Sequence, residues 1–155
     1  VKRMNRIMVN TESTLEQSVG SGAPRMAEGV QRVTSAVVFG AARIADRLDA
    51  KLVVVATRTG NTARIKAKQR DFIPTVGVSG DAQTLRQLCL FWGIIPVIGM
   101  PLDGGVALRT EIEEWGRANG LLETDDYIVF VTSSTYGPLG HDELFVHQIE
   151  DAGTN

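Results

Sequence analysis

A hydroxyl-rich turn follows the first strongly apolar segment of the chain, and its residue types suit the binding of an anion. The segment VVVATRTGNTAR spans residues 53–64 and runs from an apolar stretch into a polar turn. Three threonines, an arginine, a glycine and an asparagine form that turn: Thr57, Arg58, Thr59, Gly60, Asn61 and Thr62. Threonine hydroxyls and a guanidinium donate hydrogen bonds to phosphate oxygens, and glycine permits a tight turn.

The same turn lacks the features of the common nucleotide-binding loops. It contains neither GxxxxGKS/T nor GxGxxG, and no lysine lies inside it. The residues therefore indicate a phosphate or sulfate cradle without phosphoryl-transfer machinery. The alternative is an ordinary strand-to-helix turn in which Asn61 or Thr62 only caps a helix.

A second polar cluster follows the apolar segment at 127–133, and its serine and threonine run could line the anion site. It contains two serines, two glycines and a histidine: Ser133, Ser134, Gly137, Gly140 and His141. No His/Asp pair is placed to activate the Ser133-Ser134-Thr135 run, so the sequence does not predict a nucleophile there. A solvated position is the alternative for His141.

Other residues that could carry chemistry favour structural interpretations. Four acids are predicted to begin a helix and complement its dipole rather than to form an active site: Asp103, Glu111, Glu113 and Glu114. His147 is predicted to be structural, and Trp92 and Trp115 to lie in the core or an interface. No Cys/His spacing suggests zinc. We therefore expect no catalytic residue, metal ligand or cofactor in this chain.

Alternating strands and helices must position these residues. Apolar segments predict strands at 52–57, 74–79, 95–100, 127–133 and 143–150, and the intervening patterns predict helices at 30–48, 62–70, 82–92 and 106–119. Apolar strands separated by helices are typical of a parallel sheet, whereas the last strand follows only a loop and should pair antiparallel at or near an edge. The prediction is an α/β fold, a three-layer α/β/α sandwich with a mostly parallel five-stranded sheet and an antiparallel last strand.

This architecture places the hydroxyl-rich turn where ligands collect in such folds. Residues 57–62 follow the first strand and precede a helix, so the helix dipole favours an anion there. Asp81 is predicted to cap the helix at 82–92, and Gly120 to end the helix at 106–119.

Composition limits the class of protein. The chain has 155 residues, a formal net charge of −2 and 43% hydrophobic residues, which suits one domain and argues against a nucleic-acid binder. No apolar run reaches the roughly 20 residues that span a bilayer, and the first residues, VKRMNRIMVN, carry charges but no apolar core typical of a signal peptide. The single cysteine, Cys89, is expected to be buried and inert, and its isolation fits a cytoplasmic protein.

Ordered sequence segments give the chain a specific resemblance. TRTGNTARIKAKQR, then PTVGVS, then TLRQLCLFWGIIPV resemble the C-terminal domain of pyruvate kinase, and VKRMNRIMVNTES resembles the last helix of that family's catalytic barrel. By this resemblance, residues 1–17 are the last barrel helix or an N-terminal extension, 18–29 a linker, and 30–155 the regulatory domain.

The resemblance implies an allosteric role. The parent enzyme would transfer phosphate from phosphoenolpyruvate to ADP with magnesium and usually potassium, in glycolysis, using residues that this chain lacks. Residues 57–62 would hold the phosphate of an effector such as a sugar phosphate, AMP, phosphate or sulfate, although Arg58 occupies a variable position of the motif. The domain would also contribute to a homotetramer or other homo-oligomer.

One departure from the family pattern bears on the effector. The resemblance implies a possible second effector loop before the last strand, formed by Ser133, Ser134, Gly137, Gly140 and His141. In the family this loop usually carries Thr-Asn where Asp142 and Glu143 stand here, and carboxylates there would repel a second phosphate. A monophosphate or sulfate is therefore expected rather than a bisphosphate. Two alternatives stay open: a stand-alone relative that binds a phosphorylated metabolite, and an oligomerisation module whose loop binds nothing.

Overall fold

One five-stranded sheet organises the part of the chain that the structure describes. The computed structural model describes residues 3, 6–7, 9–11, 32–101, 105–132 and 143–151. The strands are β1 (Leu52–Ala56), β2 (Thr75–Ser79), β3 (Ile94–Ile98), β4 (Tyr127–Thr132) and β5 (Glu143–Gln148). Their order is β3-β2-β1-β4-β5; the first four are parallel, and β5 pairs antiparallel with β4. The predicted sheet is confirmed, including its antiparallel last strand.

Helices cover both faces of this sheet. They are α1 (Arg32–Arg47), α2 (Asn61–Gln69), α3 (Ala82–Leu88) and α4 (Val106–Ala118). Helices α1, α2 and α3 pack with Val53, Val55 and their neighbours on one face, whereas α4 packs with Leu52 and Val54 on the other. Because successive strand residues point to opposite faces, the continuous apolar run of β1 fills both cores. The three-layer α/β/α sandwich is therefore confirmed.

The predicted division into an N-terminal helix, a linker and a regulatory domain stays a prediction. Residues 3, 6, 7 and 9–11 are helical and exposed, in agreement with the predicted helix. The proposed linker at 18–29 lies outside the described residues.

Three details of the sequence interpretation are wrong or narrower than expected. Helix α3 ends at Leu88 rather than at residue 92, and Cys89 is its C-cap residue. Leu85 and Leu88 face the core, whereas Cys89 lies on the other side of the turn and is exposed rather than buried. Helix α4 has no acidic residue in its first turn, so Glu111, Glu113 and Glu114 are not helix-start acids. Asp103 lies outside the described residues.

Helix α4 and strand β5 are joined by three contacts that repeat along both elements. The Arg109 guanidinium lies 6.0 Å from the Phe145 ring centre, Glu113 Oε2 lies 3.4 Å from His147 Nε2, and Arg117 donates to Glu150 O at 3.1 Å. Four helical residues advance about 6 Å and two strand residues about 6.8 Å, so the spacing from Arg109 to Glu113 matches that from Phe145 to His147, and the third contact reaches Glu150, just beyond the end of β5. His147 therefore has the structural contact that its predicted role requires.

The two edge strands differ in chemistry. In β3, Gly93 O accepts a hydrogen bond from Thr75 N at 3.2 Å, so residues 95 and 97 also direct their backbone groups toward β2. Pro96 therefore occupies an outward-directed position, where it presents no N–H group. Strand β5 has no proline, and its outer side carries an uninterrupted backbone edge.

Candidate functional site

The candidate site lies where the sheet changes its winding direction. From β1 the chain proceeds through β2 to β3 on one side, and β4 then pairs with the opposite side of β1. Val55 is level with Val131, so the carboxyl ends of β1 and β4 lie side by side. A crevice at such a switch point is the usual ligand site of an open α/β sheet. The turn at 57–62 leaves β1 at this crevice.

Thr57 fixes the beginning of the turn through its backbone and its side chain. Thr57 N donates to Val78 O at 2.8 Å, and Thr57 Oγ1 accepts from Gly60 N at 3.1 Å. The side chain is buried. The Thr57 hydroxyl oxygen therefore holds the turn closed, a role that was not expected from the sequence.

Gly60 provides the backbone conformation that starts helix α2. It occupies the N-cap position with φ 77°, in the left-handed region that glycine adopts without steric cost. Gly60, and neither Asn61 nor Thr62, is the N-cap residue of α2, and it makes no side-chain capping hydrogen bond. A helix start without a side-chain acceptor keeps its positive dipole end available to an anion.

The remaining side chains of the turn divide into accessible and buried groups. Arg58, Thr59 and Asn61 are exposed, whereas Thr62 is buried with Thr57. The exposed groups provide a guanidinium, a hydroxyl and an amide around the start of α2. This arrangement can donate several hydrogen bonds to one tetrahedral anion.

Thr84 supports the turn from the next helix along the chain. Thr84 Oγ1 donates to Arg58 O at 3.0 Å, across 26 residues of sequence. The methyl group of Thr84 also lies 3.5 Å from the place that a Cβ on Gly60 would occupy. Thr84 lies in the segment TLRQL, which is part of the resemblance, but its contact with the turn was not predicted from the sequence.

The neighbouring turn, from β2 into α3, ends differently. Asp81 caps α3 as predicted, and its Oδ2 accepts from Thr84 N at 2.7 Å. That hydrogen bond is the main cause of a lowered pKa for the Asp81 carboxyl group. A carboxylate thus occupies the place at which an anion would bind, and this turn is unsuited to phosphate.

The second candidate loop is represented only by the residues that flank it. Ser133, Ser134, Gly137, Gly140 and His141 lie outside the described residues, as does Asp142. Thr132, the last residue of β4, is buried, and its hydroxyl donates to Glu143 Oε2 over 3.4 Å. Glu143 was noted in the sequence for its charge, but its contact with Thr132 was not foreseen.

The basic segment after the turn does not act as one charged surface. Lys66 is buried and contacts both carboxylate oxygens of Asp71, at 2.5 and 2.6 Å. Burial lowers the pKa of Lys66, against the opposing effect of Asp71. The Arg70 guanidinium lies 5.2 Å from the centre of the Trp92 ring, so Trp92 has a packing role. Arg58 and Arg64 are the exposed cations nearest the turn in sequence.

The described residues lack both a metal-binding cluster and a membrane-spanning helix. They contain no group of three or more His, Cys, Asp or Glu side chains arranged to hold a metal ion. Their helices include none that is both long and apolar enough to cross a membrane.

Comparison with known proteins assigns a family. The family described as "Pyruvate kinase, alpha/beta domain" matches residues 35–146. The chain is also similar to pyruvate kinases: 29% identical to that of Sporosarcina psychrophila over 153 residues, which is 97% of this chain and 26% of the relative. For Lactococcus lactis subsp. lactis the identity is 30% over 105 residues, or 68% of this chain and 21% of the relative. For Staphylococcus aureus it is 26% over 157 residues, or 100% of this chain and 26% of the relative.

These relatives are much longer than the chain. The chain spans about a quarter of the length of the curated pyruvate kinases that it matches, at 26% for the first of them. The matched region contains all the described strands except the end of β5. The turn at 57–62 therefore lies within the region that defines the family.

Proposed function

Because the chain belongs to the family of the pyruvate kinase alpha/beta domain, we propose that it is the allosteric, phosphate-effector-binding part of a pyruvate kinase. The parent enzyme would form pyruvate and ATP from phosphoenolpyruvate and ADP in the cytoplasm. Its magnesium and potassium would bind residues outside this chain.

The observation that carries the proposal is the uncapped start of helix α2. Gly60 begins the helix in the left-handed conformation, and as the N-cap residue it supplies no side-chain acceptor to the first N–H groups of the helix. Exposed Arg58, Thr59 and Asn61 surround it. Hydrogen bonds from such groups to a charged phosphate contribute about 1.5–3 kcal/mol each, which is enough for a specific site when several act together.

The regulatory effect would arise from the connections of this turn. Thr84 joins the turn to α3, and the crevice also adjoins the end of β4 and therefore the loop that leads to β5. An effector that binds better to one arrangement of these elements shifts the population toward that arrangement. The outer edge of β5, which has no proline, supports an additional role in pairing two copies, and the homotetramer implied by the resemblance would need a second contact surface.

The test of the phosphate site is a titration of the chain with inorganic phosphate, by calorimetry or amide NMR shifts. Thr59→Ala is expected to weaken binding about tenfold, because it removes one exposed hydroxyl donor to a charged ligand. Thr59→Ser keeps the hydroxyl and is the matched control. An unchanged dissociation constant in Thr59→Ala would contradict the site assignment, and the absence of binding to the unaltered chain would favour a purely structural module.

The regulatory proposal needs the parent enzyme. An immunoblot of source cells first shows whether the protein that carries this domain is much larger than this chain of 155 residues. The purified parent is then assayed for pyruvate formation with and without a phosphate ester, for the native sequence and for Thr59→Ala. We expect the ester to change the phosphoenolpyruvate dependence of the native enzyme only. A band of domain size would instead indicate a stand-alone relative.

A further inference from the structure

We infer that the domain presents two oppositely charged surfaces, and that the basic surface of one copy binds the acidic surface of a second copy. The basic surface is the outer side of α2 and α3. The acidic surface is the outer side of α4 with the connection that follows it. This contact does not depend on phosphate binding, and it differs from pairing through the β5 edge.

The basic surface carries cations that the protein itself leaves unneutralised. Helices α2 and α3 contain no acidic residue. The carboxylates next to them in sequence are already engaged, Asp71 by the buried Lys66 and Asp81 by Thr84 N. Among the described residues, none forms an ion pair with the exposed cations of these helices. These cations define the basic surface: Arg64, Lys68 and Arg86.

The acidic surface is formed on the other helical layer. Leu122 packs directly over Gly116, so the connection from α4 to β4 lies beside the end of the helix. Both cations of α4 are occupied, because Arg117 contacts Glu113 and Arg109 lies over the Phe145 ring. No described cation forms an ion pair with the exposed acids of this region. These acids define the acidic surface: Glu111, Glu114, Glu123 and Asp125.

The two surfaces cannot neutralise each other within one copy. Helices α2 and α3 pack on one face of the sheet, whereas α4 packs on the other. A helix is about 10–12 Å across, so the outer sides of the two layers are at least about 20 Å apart. This distance exceeds two Debye lengths at physiological ionic strength. The complementary charge is therefore met on a second copy, where it steers the encounter and sets the orientation.

Apolar side chains on both surfaces favour a protein partner over a nucleic acid. Leu90 follows α3 and is 84% exposed, and Leu121, which precedes the acidic connection, is 37% exposed. An aliphatic side chain gains free energy when it is buried against another apolar group, which a phosphodiester backbone does not offer. Because the contact joins unlike surfaces, it does not close on itself, and association increases steadily with concentration.

The experiment measures self-association by sedimentation equilibrium in a buffer without phosphate. The salt concentrations are about 0.01 M and about 1 M, at which the Debye length is about 30 Å and about 3 Å. The basic surface is reversed by Arg64→Glu with Lys68→Glu, and the acidic surface by Glu111→Lys with Glu114→Lys. A variant with all four substitutions regains the formal net charge of −2.

The matched control changes charge outside both surfaces. Arg3 and Arg6 are exposed cations of the amino-terminal helical residues. Arg3→Glu with Arg6→Glu changes the net charge by the same amount as reversal of the basic surface. Far-UV circular dichroism of each variant shows whether its helices are retained. The salt dependence of the unaltered chain tests the contact without any substitution.

The inference predicts a specific pattern of association constants. The unaltered chain associates at least about tenfold more tightly at low salt than at high salt, because screening removes the attraction. Each single-surface reversal weakens low-salt association about tenfold or more, since like charges then face each other. The variant with all four substitutions associates more tightly than either reversal, and the control loses less than either.

Three results would overturn the contact between copies. The first is equal association of the unaltered chain at both salt concentrations. The second is a loss in the control as large as in the surface reversals, which would attribute the effect to net charge. The third is a chain that stays monomeric at low salt but binds poly-glutamate or oligothymidylate through Arg64 and Lys68, which would assign the basic surface to a different polyanion.

Discussion

Two turns in this domain occupy equivalent places in the fold and yet differ in what they can bind. The turn from β1 into α2 and the turn from β2 into α3 both leave the carboxyl end of a parallel strand, and both lead directly into a helix. The first starts its helix at Gly60 without a side-chain cap, whereas the second starts its helix at Asp81, whose carboxylate accepts from Thr84 N. The start of α2 is therefore open to an anion, whereas the start of α3 already has the Asp81 carboxylate on its backbone N–H groups.

The difference shows that fold position alone does not make a ligand site. Strands β1, β2 and β3 are each followed along the chain by a helix, whose first N–H groups have no partner within the helix. The residue at the N-cap decides whether these groups are satisfied by the protein. In this chain the second turn also supports the first, since the Thr84 hydroxyl donates to Arg58 O. The helix that Asp81 caps thus helps to position the turn at residues 57–62.

The largest loss of phosphate affinity is expected when a carboxylate is placed in the turn from β1 into α2. Gly60→Asp is expected to weaken phosphate binding more than tenfold, because the new charge lies at the helix start that would hold the anion. Gly60→Asn has nearly the same shape and tolerates the left-handed conformation, so it is the control for backbone strain. The measurement is a phosphate titration of both variants by calorimetry. Equal affinities for the two would mean that phosphate does not bind at this helix start.

Removing the Thr57 hydroxyl tests what closes the open turn. Thr57→Val keeps the side-chain shape but leaves the buried Gly60 N–H without its acceptor. We expect a loss of about 1–3 kcal/mol in the free energy of unfolding, measured with urea. Thr57→Ser retains the oxygen and should cost less. If Val and Ser destabilise the chain equally, the hydrogen bond is not what holds the turn.

The contact between the two turns is tested at Thr84. Thr84→Val removes the donor to Arg58 O but keeps the backbone N–H that Asp81 caps. The expected loss is about 0.5–1.5 kcal/mol of unfolding free energy, together with weaker phosphate binding. Thr84→Ser is the matched control, since it keeps the hydroxyl. Unaltered phosphate affinity in Thr84→Val would show that the two turns act independently.

The smallest effect is expected at Asp81, in the turn from β2 into α3, and it is a change in how stability depends on pH. Because the folded-state pKa of Asp81 is lowered below 3.8, its stabilising effect is present above that pH and is lost as the pH falls through the folded-state value. Asp81→Asn keeps a capping side chain and removes this titration. Thermal unfolding between about pH 2 and 6 should therefore vary less with pH in the variant than in the native sequence. Parallel pH profiles would contradict the assignment.

The layered fold could be predicted because its signals are local and redundant. The apolar run at Leu52–Ala56 is buried at every position, and such runs alternate with helical patterns along the chain. The cap at Asp81 was also predicted, because the capping residue and its helix are adjacent in sequence. Family membership followed from the order of several segments, and the family comparison agrees with it.

The details of the candidate site were less accessible from the sequence. Threonine and asparagine commonly cap helices, so the turn gave no sign that Gly60 would take the N-cap position without a side-chain acceptor. The contact from Thr84 to Arg58 O joins residues that no short-range pattern relates. Cys89 was misplaced because the apolar pattern LRQLCLFW continues past the point at which α3 ends.

The proline on the outward side of β3 has a consequence for the size of any assembly. A sheet that can be extended at both edges permits chains of copies without limit, which is how fibres grow. Pro96 removes a donor from one edge, and only the β5 edge keeps an unbroken backbone. Pairing of two copies through β5 alone consumes the available edge of each, and growth stops at a closed pair. Because Pro96 interrupts one edge, any assembly of this domain through its sheet edges would be limited to two copies.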